Sequence, residues 1–248
     1  MFRKSAQFYD ALYHFKDYAD ASKRLHQLIQ QRNRNARTLL DIACGTGRHI
    51  ENLQQYYHVE GLDINPELLQ IARGRCPGVA FHHANMLDFK LDRMFDVVTC
   101  LFSSVAYVKT VENLNKAVMN MATHLQPRGI LVIEPWFSPE NYWTGTITAN
   151  FVDQPSLKIA WMYTSDPPKG RIATLDIRYL VGTPRGVDQF DERHEFGLFT
   201  HDEYLSAFRK AGFDVYHDPE GLFNRGLYCG IRTGSARPSL ERSDDQGT

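Results

Sequence analysis

The chain is short of the features that place a protein quickly. Its four cysteines in 248 residues, Cys44, Cys76, Cys100 and Cys229, lie far apart with no CxxC pair, so neither a disulfide framework nor a zinc site is expected, and a reducing compartment suits them. A dominant charge is missing too. The 28 Lys and Arg against 29 Asp and Glu leave a net charge of −1, which gives no general attraction to polyanions and argues against nucleic acid as a partner. No apolar run approaches the ~20 residues a membrane span needs, and MFRKSAQFYD has no apolar signal core. A cytoplasmic protein without membrane contact is therefore expected. There is no internal repeat. The adjacent His82 and His83 point to opposite faces of a strand and are unlikely to share an ion, so no metal is expected.

What is present is alternation. TLLDIA, HVEGLDI, VAFHHA, FDVVTCL and GILVIEP are strand-length apolar runs, separated by helix-length segments such as PELLQIARGRC and 111–124. Strand and helix in turn predict α/β architecture around a doubly wound parallel sheet. The character changes over 145–199, where LKIAWMYTS, RIATLDIRYLVGT and HEFGLFT alternate like antiparallel strands. The expected organisation is one domain made of 1–144 and 200–233, an antiparallel β insert at 145–199 acting as substrate lid, dimer surface or both, and a disordered tail at 234–248. DPPK at 166–169 and RNRNAR at 32–37 read as a turn and a solvated loop.

The richest stretch is LLDIACGTGRHI at 39–50, followed by VEGLDINPELL, which carries Asp63. Strand, glycine turn, helix and a second strand ending on a carboxylate bring a loop backbone and a ribose-binding acid to one sheet edge. A dinucleotide site wants GxGxxG, but Gly45 and Gly47 have Ile50 where the third glycine belongs. Asp41 and Asp63 bracket the loop. Their charge opposes a pyrophosphate and suits a ligand bearing an ammonium and a sulfonium, as S-adenosyl-L-methionine does.

With that constellation, 9–231 resembles the class I S-adenosylmethionine-dependent methyltransferases. The resemblance implies a Rossmann-like, mostly parallel seven-stranded sheet, with the insert between its fifth and sixth strands and S-adenosyl-L-homocysteine as product. It puts Ala43, Gly45 and Gly47 near the methionine part of the cofactor, Tyr18 near the methionine carboxylate and Asp63 on the ribose hydroxyls. Ile64 would cover one face of the adenine. Asn85 and Met86 fall where the family has an Asp for the adenine amine and an apolar neighbour, while Asp41, Leu101 and Phe102 complete the cofactor set. Asn85 departs from the pattern, since its amide oxygen accepts a hydrogen bond without the strengthening charge.

LFSSVAYVKT at 101–110, EPWFSPENYW at 134–143, FYDALYHFKDY and NRGLYCGI together resemble a narrower group, the N,N-dimethyltransferases of nucleotide (dTDP)-linked amino-deoxysugars. That resemblance implies two methyl transfers to a sugar amine, with Tyr13 and His124 as catalytic residues beside the amine. Glu134, Trp136, Tyr142 and Arg225 would bind the nucleotide-sugar substrate. The methyl sulfonium is already activated, so the protein must align three atoms, exclude water and see the amine neutral. A histidine can accept the proton near neutral pH; His124 equally suits the end of a helix before LQPRG, where it favours the dipole. Both readings stand at this point. So do methyl transfer to another small amine or a hydroxyl, and a non-catalytic binding module. A homodimer is left open.

Overall fold

The computed structural model describes residues 4–233; the tail at 234–248, expected to be disordered, lies outside the described residues. Five strands, β1 (Thr38–Ile42), β2 (His58–Asp63), β3 (Ala80–His83), β4 (Phe95–Cys100) and β5 (Leu125–Ile133), run parallel. β10 (Phe213–Asp218) and β11 (Leu227–Arg232) complete the sheet in the order β10-β11-β5-β4-β1-β2-β3, and β11 pairs antiparallel with both neighbours. Helices cover both faces, so the central strands bury both of theirs: Leu39, Leu40 and Ile42 of β1 are fully buried. One core lies under α5 (Val111–Thr123) and α6 (His201–Lys210), the other under α2 (Tyr18–Arg32) and α3 (Arg48–Leu53).

Local signals fix the helix ends. Asn65 accepts from the amides of Glu67 and Leu68 to start α4 (Pro66–Arg75), with proline in the first turn. Thr200 and Glu203 form a reciprocal capping box at α6. In the ladder, Ile42 pairs with Leu62 and Cys100, and Cys100 with Ile133. Four strands thus release their loops at one carboxyl edge, where ligands bind in such sheets.

The insert is a separate antiparallel sheet of β6 (Ile147–Gln154), β7 (Leu157–Thr164), β8 (Ile172–Thr183) and β9 (Gly186–Gly197) in sequential order. Three of these strands are marked by sequence alternation. β6 is not, because it is an edge strand on which only Val152 is buried. The inner face of the insert packs Ile159, Leu175 and Ile177 against Leu12 and Trp136. DPPK forms part of the connection between β7 and β8. Among the described residues, no helix is long and apolar enough to cross a membrane.

Candidate active site

Beyond β1 the chain turns through Ala43 (φ 56°), Gly45 (φ 57°) and Gly47 (φ 77°), the left-handed region that strains any residue with a Cβ. At Gly47 a Cβ would also come within 3.3 Å of Ala72 Cβ. Asp63 closes this loop: its Oδ2 accepts from the Gly45 amide at 2.8 Å and its Oδ1 from the Asn65 amide at 2.8 Å. Burial pushes the Asp63 carboxyl up, and those two amides pull it back. Ile64 beside it is 42% exposed, an apolar side chain left open at the rim. Asn85 uses its amide oxygen to accept from the Leu87 amide at 3.0 Å, and Met86 packs its side chain against the core.

Asp41 sits differently from its neighbour. Only 2% exposed, it accepts from Thr99 Oγ1 of β4 at 2.8 Å, and burial, reinforced by Asp63, pushes its carboxyl up to about 7. It does not stand as a fixed charge flanking the loop, and any influence on a bound cofactor is exerted through its field. Leu101 is likewise buried in the core, at 3% exposed.

At the other end of the glycine loop, Tyr18 Oη, Arg48 Nε and His49 Nε2 are buried without hydrogen-bond partners. The Tyr18 and His49 rings are 5.0 Å apart, and His49 Nδ1 lies 3.2 Å from Ser22 Oγ. Burial and the nearby Lys16 push His49 down to about 3, so its imidazole is neutral. Buried polar atoms of this kind call for a ligand, and a carboxylate such as the one on methionine would satisfy them. The residues therefore fit S-adenosylmethionine. Arg48 and His49 are the pair that sequence reading left without a role, although they directly follow the second glycine.

A cavity of about 790 Å³ opens beside this cradle, walled by the segment before α2, the loop after β4, the insert and the 222–225 loop. Tyr13, one residue past α1 (Tyr9–Leu12), meets the Phe102 ring edge-on at 5.1 Å. Phe102 (φ 52°) and Ser103 (φ 61°) are held in the left-handed region. The Phe102 amide donates to Glu134 Oε2 at 2.6 Å, which secures that strained turn. Glu134 is fully buried, its Oε1 has no partner, and burial pushes its carboxyl up. Lys16, between the Phe102 and Phe223 rings at 3.5 and 3.7 Å, is pushed down to about 7 by burial and pulled up by Glu134. Arg225 donates to Ser103 Oγ at 3.1 Å and lines both this cavity and a second one of about 500 Å³. Trp136 also lines both and packs 4.3 Å from Phe196.

Two expected site residues lie elsewhere. Tyr142 is buried in the core beneath the insert, its hydroxyl donating to the Asp166 carbonyl at 3.4 Å, so it supports the insert and does not line the main cavity. His124 ends α5 at the amino edge of the sheet, where its carbonyl accepts from the Phe95 amide that opens β4. The length of β4, about 17 Å at ~3.3 Å per residue, separates it from the ligand edge. Its Nε2 accepts from the Leu91 amide at 3.1 Å, its Nδ1 donates to the Asn120 carbonyl at 2.9 Å, and its ring stacks on Phe89 at 4.2 Å. The helix-terminus reading is the correct one, and His124 is not a catalytic base. His124→Ala should leave kcat unchanged while lowering stability by about 2 kcal/mol, from the orphaned Leu91 amide and the lost ring; chemical denaturation beside a turnover assay checks it. In exchange, the cavity gains Lys16, Tyr107, His194 and Phe223; Lys16 and Tyr107 lie inside FYDALYHFKDY and LFSSVAYVKT, but sequence reading gave none of the four a role.

The carboxyl-edge glycine turn, the acid at the end of β2 and the seven-stranded sheet with one antiparallel strand define a class I S-adenosylmethionine-dependent methyltransferase. A methyltransferase-domain family model matches residues 39–129. The chain is 36% identical to a Streptomyces fradiae dTDP-3-amino-3,6-dideoxy-alpha-D-glucopyranose N,N-dimethyltransferase, over 91% of this chain and 90% of that one. It is 37% identical to a Saccharopolyspora spinosa dTDP-4-amino-2,3,4,6-tetradeoxy-D-glucose N,N-dimethyltransferase, over 92% of each. Among solved structures, the S-adenosylmethionine-bound amino pentose methyltransferase CalS10 of Micromonospora echinaspora superposes with a TM-score of 0.84 at 35% identity, covering 94% of this chain and 98% of that one. The chain belongs to this family of sugar N-methyltransferases and uses S-adenosylmethionine.

Proposed function

We propose that the chain methylates, twice, the amino group of a dTDP-linked amino-deoxysugar. The observation that carries this reading is the pair of cavities joined at Arg225. The larger abuts the cofactor cradle and suits the sugar, and a guanidinium at the junction suits a diphosphate. Relatives of equal similarity act on 3-amino and on 4-amino sugars, so the amine's position is left to experiment.

When bound, the cofactor supplies a methyl group already activated on sulfur. Asp63 and the loop from Ala43 to Gly47 hold its nucleoside and methionine parts, with Ile64, Asn85 and Met86 around the base. Tyr13 and Phe102 wall the transfer path from water and Arg225 orients the sugar, while Glu134, fully buried and lining neither cavity, acts on the site by holding the turn at Phe102 and not by touching the sugar. Burial pushes the Tyr13 phenol well above its usual range, so Tyr13 acts as a protonated hydrogen-bonding wall and not as a phenolate. The insert serves as the lid over the sugar; its exposed outer residues Ile147, Phe151, Leu180 and Val187 fit a homodimer surface, and four free thiols fit the cytoplasm. Incubation with cofactor and dTDP-linked 3-amino or 4-amino sugars should give mono- and then dimethylated product by mass spectrometry. No methylation of either class would sink the proposal.

A further inference from the structure

The amine loses a proton in each round of methylation, and the cavity contains a route for it. Tyr107, in the single turn Ser104–Val108 after β4, lines the substrate cavity and also a separate outer depression of about 540 Å³. Its hydroxyl lies 2.7 Å from His194 Nδ1, and its ring packs 4.6 Å from Phe196. His194, 2% exposed on β9, has its Nε2 3.8 Å from Glu192 Oε2 two residues away on the same strand. Glu192, 7% exposed, accepts from the Ser5 amide at 3.0 Å and from the Ser5 hydroxyl, and it lines the outer depression. Tyr107 and His194 line the inner cavity and Tyr107 and Glu192 the outer one, so a phenol, an imidazole and a carboxylate bridge the two.

We propose that Tyr107, His194 and Glu192 are the proton exit of the methyl transfer, with Tyr107 the catalytic residue that meets the amine and the other two positioning residues behind it. This rests on the amine-methyltransferase reading above. Attack by the neutral amine forms the C–N bond and breaks the C–S bond, leaving a cationic secondary or tertiary amine. That amine's N–H bond then breaks with its electron pair staying on nitrogen. The proton passes to the Tyr107 oxygen as the phenol's own proton passes to His194 Nδ1, so no phenolate forms and the resulting imidazolium faces Glu192. The step requires no ionised tyrosine, consistent with burial holding the Tyr107 phenol well above its usual range. It does require neutral His194, which burial favours by pushing that imidazole down while Glu192 pulls it up. Among the described residues, Tyr107 from the turn and Glu192 from β9 face it. Lys4, Lys109, Asp191 and Glu195 ring the outer depression.

Turnover is measured on a dTDP-linked amino sugar across pH 5.5 to 9, with S-adenosyl-L-homocysteine binding by calorimetry as the control for folding. Tyr107→Phe keeps the ring on Phe196 and should lower kcat about 100-fold with cofactor affinity unchanged. His194→Gln still offers Tyr107 an acceptor but cannot take a proton. It should lower kcat and remove the acid limb that neutral His194 imposes on the wild type. Wild-type kcat and an unaltered pH profile in Tyr107→Phe overturn the exit, as does parallel loss of cofactor binding in both variants, which marks them as structural. A wild-type chain inactive on every amino sugar overturns the substrate reading and the exit together.

Discussion

Asp63→Ala should weaken S-adenosyl-L-homocysteine binding by about 100- to 10,000-fold, as measured by calorimetry. A carboxylate accepting from two ribose hydroxyls makes two charge-assisted hydrogen bonds, and each is worth about 1.5–3 kcal/mol when the alternative is an unsatisfied group. The same carboxylate holds the Gly45 and Asn65 amides. Its loss therefore frees the glycine turn from its anchor as well as removing the proposed ribose contact. Asp63→Asn separates the two effects. Its amide oxygen can still accept from one of these amides, so it should fall between alanine and the wild type. Alanine binding within tenfold of the wild type would show that Asp63 only ties the loop and that the nucleoside is held elsewhere.

Asp63 was legible in the sequence because a carboxylate at the end of a strand, after a glycine turn, leaves a local signature. The parallel strands and their helices were legible for the same reason: β1 announces itself by the apolar run TLLDIA, broken only by Asp41, and α5 by the helix-length segment 111–124 between FDVVTCL and GILVIEP. Contacts between distant segments leave no such trace. His194 and Tyr107 are 87 positions apart, and only the folding of the insert over the loop after β4 brings them together. Lys16 becomes a site residue because Phe102 and Phe223 converge on it from two further segments. The His124 error has the opposite origin. A helix followed by a strand in this fold has one end at each edge of the sheet, and a residue between α5 and β5 must lie at the amino edge, away from the loops that bind ligand. Topology alone excludes it from the ligand edge. Tyr142 is a similar case, since its place after β5 is at the correct edge but its side chain turns beneath the insert.

Asp41→Asn should stabilise the protein at pH 8 by about 2–4 kcal/mol and change little at pH 4. Asp41 is raised from its ordinary 3.8 to about 7, so the folded chain holds this proton more tightly than the unfolded one. The stability that follows is fully present below the unfolded value and is lost as pH rises through about 7. Above that, the folded state carries a buried carboxylate that Thr99 Oγ1 partners, with Asp63 adding to its burden. The full interval corresponds to about 4 kcal/mol, and relaxation of the site lowers the expected figure. Asparagine keeps an acceptor for Thr99 and carries no charge, so urea denaturation at the two pH values reads the difference directly; equal stability at pH 8 would mean that Asp41 is comfortably solvated. The same substitution tests what that stored cost does. At pH 8, where Asp41 is ionised, a cation at the carboxyl edge offsets the paired field of Asp41 and Asp63, and S-adenosylmethionine carries one more positive charge than its demethylated product. Asp41→Asn should therefore weaken binding of the substrate form more than the product form, lowering the ratio of their affinities. An unchanged ratio would assign the discrimination between them to the aromatic walls at Tyr13 and Phe102.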